Sequence, residues 1–223
     1  MAPIRTGLDE RMKVIRAELG EYFHEAKEAY EEAMVAFQKL DAEAYTEVKK
    51  LREKAREMNW DLTNDLLLVI ALNQPLMKDL RIVACYQRAV DTIERLVRHA
   101  RDIARSDKIL DELEVDLPNV ITAPIAKMYE GLRQLLEIIG DCLTQEAAIP
   151  QDEIRTIRRQ IASSFDILIN SFANMESKTM GGKRARIEII SIVNRIDRSA
   201  YNLVRLAGSW HHALTNEHIN LDD

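Results

Sequence analysis

The amino-acid sequence predicts an all-α protein of six long helices, arranged as two tandem, pseudo-symmetric three-helix bundles. Three observations carry that prediction. The composition holds only 7 Gly and 5 Pro in 223 residues, so few positions interrupt a helical backbone. Apolar and small residues recur at alternating spacings of four and three: Leu8, Met12, Ile15, Leu19, Tyr22, Ala26, Ala29 and Ala33. That pattern is one face of a long helix. Finally, residues 92–105 are echoed by residues 192–205, with Arg95, Arg98, Ala100 and Arg105 returning as Arg195, Arg198, Ala200 and Arg205. Upstream, EVKKLR at 47–52 parallels EIRTIR at 153–158, so the order of elements is repeated as well.

The first helix is expected from Leu8 to about Leu40, with Asp41 capping the start of a second. The second runs to Leu72 and stops at Asn73-Gln74-Pro75, because proline disfavours helical geometry in the residue before it. A third covers about Lys78 to Lys108, closing a first bundle over residues 8–108. The stretch 106–119 is acidic, with Asp107, Asp111, Glu112, Glu114 and Asp116, and ends at Pro118; it is predicted to be the linker. The second bundle, 120–213, begins with a helix from Ile121 to Thr144. Pro150 opens the fifth helix as a first-turn proline. That helix runs to about Ser177, Gly181-Gly182 turns the chain, and the sixth extends from Lys183 to His212. Residues 214–223 are predicted to be a polar, frayed tail.

The net charge of −6 argues against nucleic acid as a partner, since duplex binding rests on clustered Lys and Arg. The longest apolar run, Leu66–Leu72, is far too short to span a bilayer, so no membrane-embedded segment is expected. Met1-Ala2-Pro3-Ile4-Arg5 contains no apolar leader. Cys85 and Cys142 sit in apolar helical runs without ligand spacing, and read as buried thiols of a reducing, cytoplasmic protein. No Gly-rich phosphate loop, HExxH or nucleophile–base constellation occurs, so no catalytic residues and no enzyme activity are predicted.

The most specific stretch is Leu72-Asn73-Gln74-Pro75, then Asp79-Leu80-Arg81, then Asp91-Thr92-Ile93-Glu94-Arg95 with His99-Ala100. It resembles the signature of the PhoU family, and the six-helix duplicated layout resembles that family from about residue 8 to 212. The resemblance implies a cytoplasmic accessory protein of phosphate uptake. Such a protein acts by contact with a membrane phosphate transporter and its sensor kinase, often as a homodimer.

The family also binds metal clusters through acidic pairs four residues apart, on the second and third helix of each half. Here the matching positions are Arg52 and Arg56, Glu94 and Arg98, Arg158 and Ala162, and Asn194 and Arg198. Only Glu94 keeps a carboxylate, and arginine cannot ligate a cation. No metal cofactor is therefore expected. The arginines leave two readings open. One is a small-anion site for phosphate or sulfate on the duplicated face Arg95, Arg98, Asp102 and Arg105 with Arg195, Arg198, Asn202 and Arg205, the holding residues being Arg52, Arg56, Arg98, Arg158 and Arg198. The other is a solvated face with ion pairs to Glu53, Glu57, Asp91 and Glu94. His211, His212 and His218 read as part of the polar end, because adjacent histidines diverge on a helix.

Overall fold

In the computed structural model, which describes residues 4–39, 42–174 and 182–222, six helices account for the fold. They are α1 (Ile4–Lys39), α2 (Ala42–Asn73), α3 (Met77–Glu112), α4 (Asn119–Thr144), α5 (Gln151–Asn174) and α6 (Gly182–Thr215). Among the described residues there is no strand. Every member of the stripe from Leu8 to Ala33 is buried, so the four-three spacing marks the face of α1 that packs inward.

Each set of three consecutive helices packs together: α1 on α2 and α3, α2 on α3, then α4 on α5 and α6, α5 on α6. The largest contact, however, is between α3 and α6, and α1 also lies against α4. These two helices run antiparallel, since Arg81 meets Ala213 at one end and Ser106 meets Glu188 at the other. About one turn in from the Arg81–Ala213 end, Tyr86 of α3 stacks on Trp210 of α6, ring centroids 5.7 Å apart. Both rings then bond to the end of α4 and the segment after it. The Tyr86 hydroxyl donates to the Leu143 carbonyl at 3.0 Å, and the Trp210 indole N–H donates to that of Ala147 at 2.8 Å. Buried aromatics with one polar handle each are thereby satisfied.

Three expectations are corrected. The acidic stretch from Ser106 is not wholly a linker: α3 continues to Glu112, and only residues 113–118 connect it to α4. Asp107 and Leu110 belong to the helix and are buried, because they extend the apolar face through Ile103. Pro150 lies just before α5 and not inside it; its carbonyl accepts the first helical bond, from Ile154 at 3.1 Å. The C-terminal tail is not frayed. Leu221 is buried and Asp222 accepts a bond from Arg158 at 3.1 Å, so the tail folds back over α5 and α6. The Asn73-Gln74-Pro75 stop is found as expected, with Gln74 and Met77 both at positive φ (47° and 50°). The expected cap Asp41 and the Gly181 part of the Gly-Gly turn lie outside the described residues.

Candidate functional site

The family positions fall where α2 faces α3 and α5 faces α6. Arg52 of α2 donates to the Glu94 carboxylate of α3, and both side chains are mostly buried (11% and 21% exposed). One turn on, Arg56 is exposed and paired with Glu53 at 3.2 Å. Arg56, Arg98 and Glu94 share a shallow surface hollow with Glu53, Glu57, Asp91 and Arg95. Four carboxylates therefore face three arginines there, with Arg52 at the Glu94 end, and the charges balance.

In the second half Arg158 reaches Asp197 of α6 at 2.6 Å and Asp222 of the tail at 3.1 Å. Arg198 points outward and is exposed, as is Arg98. The five arginines thus divide between the halves, and three of them already hold carboxylates. Asp197, one residue before Arg198, supplies the counter-charge that the positions Asn194 and Ala162 lack.

These donor sets do not fit a cation. A guanidinium reaches the Glu94 carboxylate, so the surviving acid of the family pattern is engaged by a group that can only donate. Among the described residues no group of three or more His, Cys, Asp or Glu is placed to hold a metal ion.

Where α3 crosses α6, His99 is buried beside Ser199, with Nδ1 2.8 Å from the hydroxyl oxygen. Ser199 gives its own hydrogen to the Arg195 carbonyl at 2.7 Å. Its oxygen therefore accepts from both the Tyr30 hydroxyl and the Nδ1–H of His99. Burial, then the nearby Arg195 and Arg98, pushes the His99 pKa down to about 4, against a smaller opposing effect of Asp102. The Ser199 hydroxyl is fully buried and its hydrogen is held by the Arg195 carbonyl, so the neutral imidazole and the hydroxyl tie α3 to α6. Asp102 itself bridges the two halves, bonded to Arg101 on one side and 3.3 Å from Arg195 on the other.

Sequence reasoning did not find a cleft that these two helices form. It lies on the α3–α6 seam beneath the folded-back tail and has a volume of about 660 Å³. Arg81, Arg88, Arg205, His212 and His218 supply its basic wall. The available signal was a heptad spacing, Arg81, Arg88 and Arg95 on α3 and Arg198, Arg205 and His212 on α6. Only the antiparallel pairing of the helices turns the two rows into one groove.

Compared with known proteins, the sequence matches the PhoU domain family over residues 19–107, which covers most of α1 through α3. No curated protein sequence matches it. Its fold is similar to that of PhoU from Pseudomonas aeruginosa, with a TM-score of 0.86 at 13% identity, covering 94% of this chain and 99% of that one. It is also similar to the phosphate transport system regulatory protein PhoU from Streptococcus pneumoniae, with a TM-score of 0.81 at 15% identity, covering 98% and 100%.

Proposed function

The chain carries a PhoU domain in residues 19–107 and the PhoU fold over nearly its whole length, and on that premise we propose that it is a cytoplasmic regulator of phosphate uptake. It acts by binding and not by catalysis, in contact with a membrane phosphate transport system and, as the family resemblance implies, its sensor kinase. The domain match is the observation that carries this reading.

The contact surface in the proposal is the turn between α2 and α3, inside the matched segment. Leu72, Leu76, Met77 and Leu80 are all exposed there, Leu76 by 75% and Met77 by 84%. Clustered apolar side chains of this size are costly to leave in water and mark interaction surfaces. The partner on this surface is the cytoplasmic face of the transporter; a second copy of the chain, giving the expected homodimer, is the other outcome. Membrane vesicles carrying the host's phosphate transporter should bind the purified chain saturably, and Leu76→Asp with Met77→Asp should abolish binding at unchanged helicity. Equal binding to vesicles lacking the transporter contradicts the proposal. If the double substitution instead turns a dimer into a monomer and leaves vesicle binding intact, the surface belongs to the second copy.

The second reading is a sensor of phosphate or sulfate built on Arg52, Arg56, Arg98, Arg158 and Arg198. One observation favours it: Arg98 and Arg198, at matching places in the two halves, are exposed and form no ion pair among the described residues. On this reading phosphate raises the melting temperature more than chloride at equal ionic strength, and Arg98→Ala with Arg198→Ala removes the excess.

A further inference from the structure

The chain is acidic overall, yet the α3–α6 cleft gathers three arginines without a counter-ion among the described residues. Arg81 donates through Nε to the Ala213 carbonyl at 3.3 Å. Arg88 donates through one Nη to the Ser209 hydroxyl at 2.5 Å. Arg205 lies over the Tyr201 ring, 5.8 Å from its centroid. Each is held by a neutral partner and keeps further N–H groups for something else, which is preorganisation without neutralisation. The one carboxylate on the wall, Asp222, is taken by Arg158. Cys85, also on the wall, stays a neutral thiol, since burial pushes its pKa up to about 12.

Two further features point to a ligand. His212 stacks on His218 with ring centroids 4.2 Å apart, and its buried Nδ1 has no hydrogen-bond partner. An unsatisfied buried nitrogen is costly unless something bonds to it. The small residues Ala84 and Gly208 form part of its lining and leave room for a ligand, while Val204, Ile219 and Leu221 give it apolar walls. Beyond Arg88 the groove continues, where Arg88, Arg95 and Arg205 outnumber the single carboxylate of Asp91.

We propose that this cleft binds a small oligophosphate anion, of the class of nucleoside di- and triphosphates. Arginines seven residues apart on one helix stand about 10 Å apart along its axis, too far for a single phosphate group to bridge. A row of them suits a chain of phosphates, each taking charge-assisted bonds from a guanidinium fork. The volume of about 660 Å³ is within the range of organic-ligand pockets, and the apolar wall suits an organic body attached to the phosphates. The inference is independent of the proposed role in uptake, because binding is measured on the purified chain alone.

The test is isothermal titration of the full chain with ATP, tripolyphosphate, adenosine and inorganic phosphate, each at matched ionic strength. Saturable one-to-one binding of ATP or tripolyphosphate is expected, with adenosine and inorganic phosphate at least about tenfold weaker. Tighter binding of ATP assigns the apolar wall to the nucleoside; tighter binding of tripolyphosphate assigns the site to an inorganic chain. Arg88→Gln with Arg205→Gln should weaken binding at least about tenfold. Both side chains are exposed, so melting without ligand should barely change. Arg11→Gln with Lys13→Gln removes the same charge from exposed positions on α1, outside the cleft, and should leave binding intact. Absence of saturable binding by either oligophosphate, or equal losses in the two double variants, overturns the proposal.

Discussion

At the scale of single residues, the helix seam is held by groups whose charge state is fixed by burial. His99 is neutral in the folded protein with a pKa near 4, against about 6.5 when unfolded. Between those values the unfolded chain binds the extra proton, so stability is fully present above pH 6.5 and falls as pH drops toward 4. Replacing His99 by Gln, which keeps a side-chain donor, should therefore flatten the pH dependence. Urea midpoints of the wild type and the variant, compared at pH 7 and pH 5, should converge at the lower pH. Parallel shifts would show that the imidazole remains protonatable in the fold.

Arg52 and Arg56 occupy neighbouring family positions yet differ in worth. Removing Arg52 strands the mostly buried Glu94, whereas removing Arg56 only frees an exposed Glu53. Arg52→Ala should cost about 1–3 kcal/mol, discounted for partial exposure. Arg56→Ala should stay within about 0.5 kcal/mol. Denaturant melts of both variants decide it.

At the scale of helices, the packing surfaces were the most legible part of the sequence. The stripe of α1 is buried throughout because one apolar face, repeated over many turns, has one way to pack. The end of α3 was harder to read. Its acids suggested a connection, but Ile103, Asp107 and Leu110 keep the same face inward, and burial of that face outweighed the local charge. The tail was misjudged for the opposite reason. Leu221 is buried, the Asn220 carbonyl accepts from Arg155 and Asp222 pairs with Arg158, and these arginines of α5 are far away in sequence.

Glycine positions within helices separate two effects. At Gly131 an added Cβ would stand 2.8 Å from Ile161 Cγ1, so α4 approaches α5 only because no side chain intervenes. Gly131→Ala should destabilise, with an overpacking cost of about 1–3 kcal/mol exceeding the helix-propensity gain. At Gly20 the nearest atom, Thr144 Cγ2, is 3.4 Å away, close to ordinary contact. Gly20→Ala should raise stability by about 0.5–1 kcal/mol. Thermal melts of the two variants should move in opposite directions.

At the scale of the whole molecule, the second and third helices of each half are tied by an arginine–carboxylate pair, Arg52 with Glu94 and Arg158 with Asp197. Where the family resemblance implies a metal, this chain has a guanidinium, which joins facing helices without a cation. Elemental analysis of protein purified without chelator should accordingly find less than one equivalent of iron, zinc or nickel per chain. Several bound metals per chain would contradict this. The repeat from 92–105 to 192–205 was legible because it places like residues on the helices that form the seam. The cleft along that seam was not, since α3 and α6 lie about a hundred residues apart and only their antiparallel packing aligns Arg88 with Ser209.

On the proposed function, this helical chain restrains phosphate uptake by binding. The direct measurement is the initial rate of radiolabelled phosphate uptake in phosphate-replete host cells, with the gene present, deleted, or restored as the Leu76→Asp, Met77→Asp double variant. Faster uptake is expected after deletion, with normal restraint from the restored wild type and no restraint from the double variant at equal protein level. Uptake unchanged by deletion would contradict it.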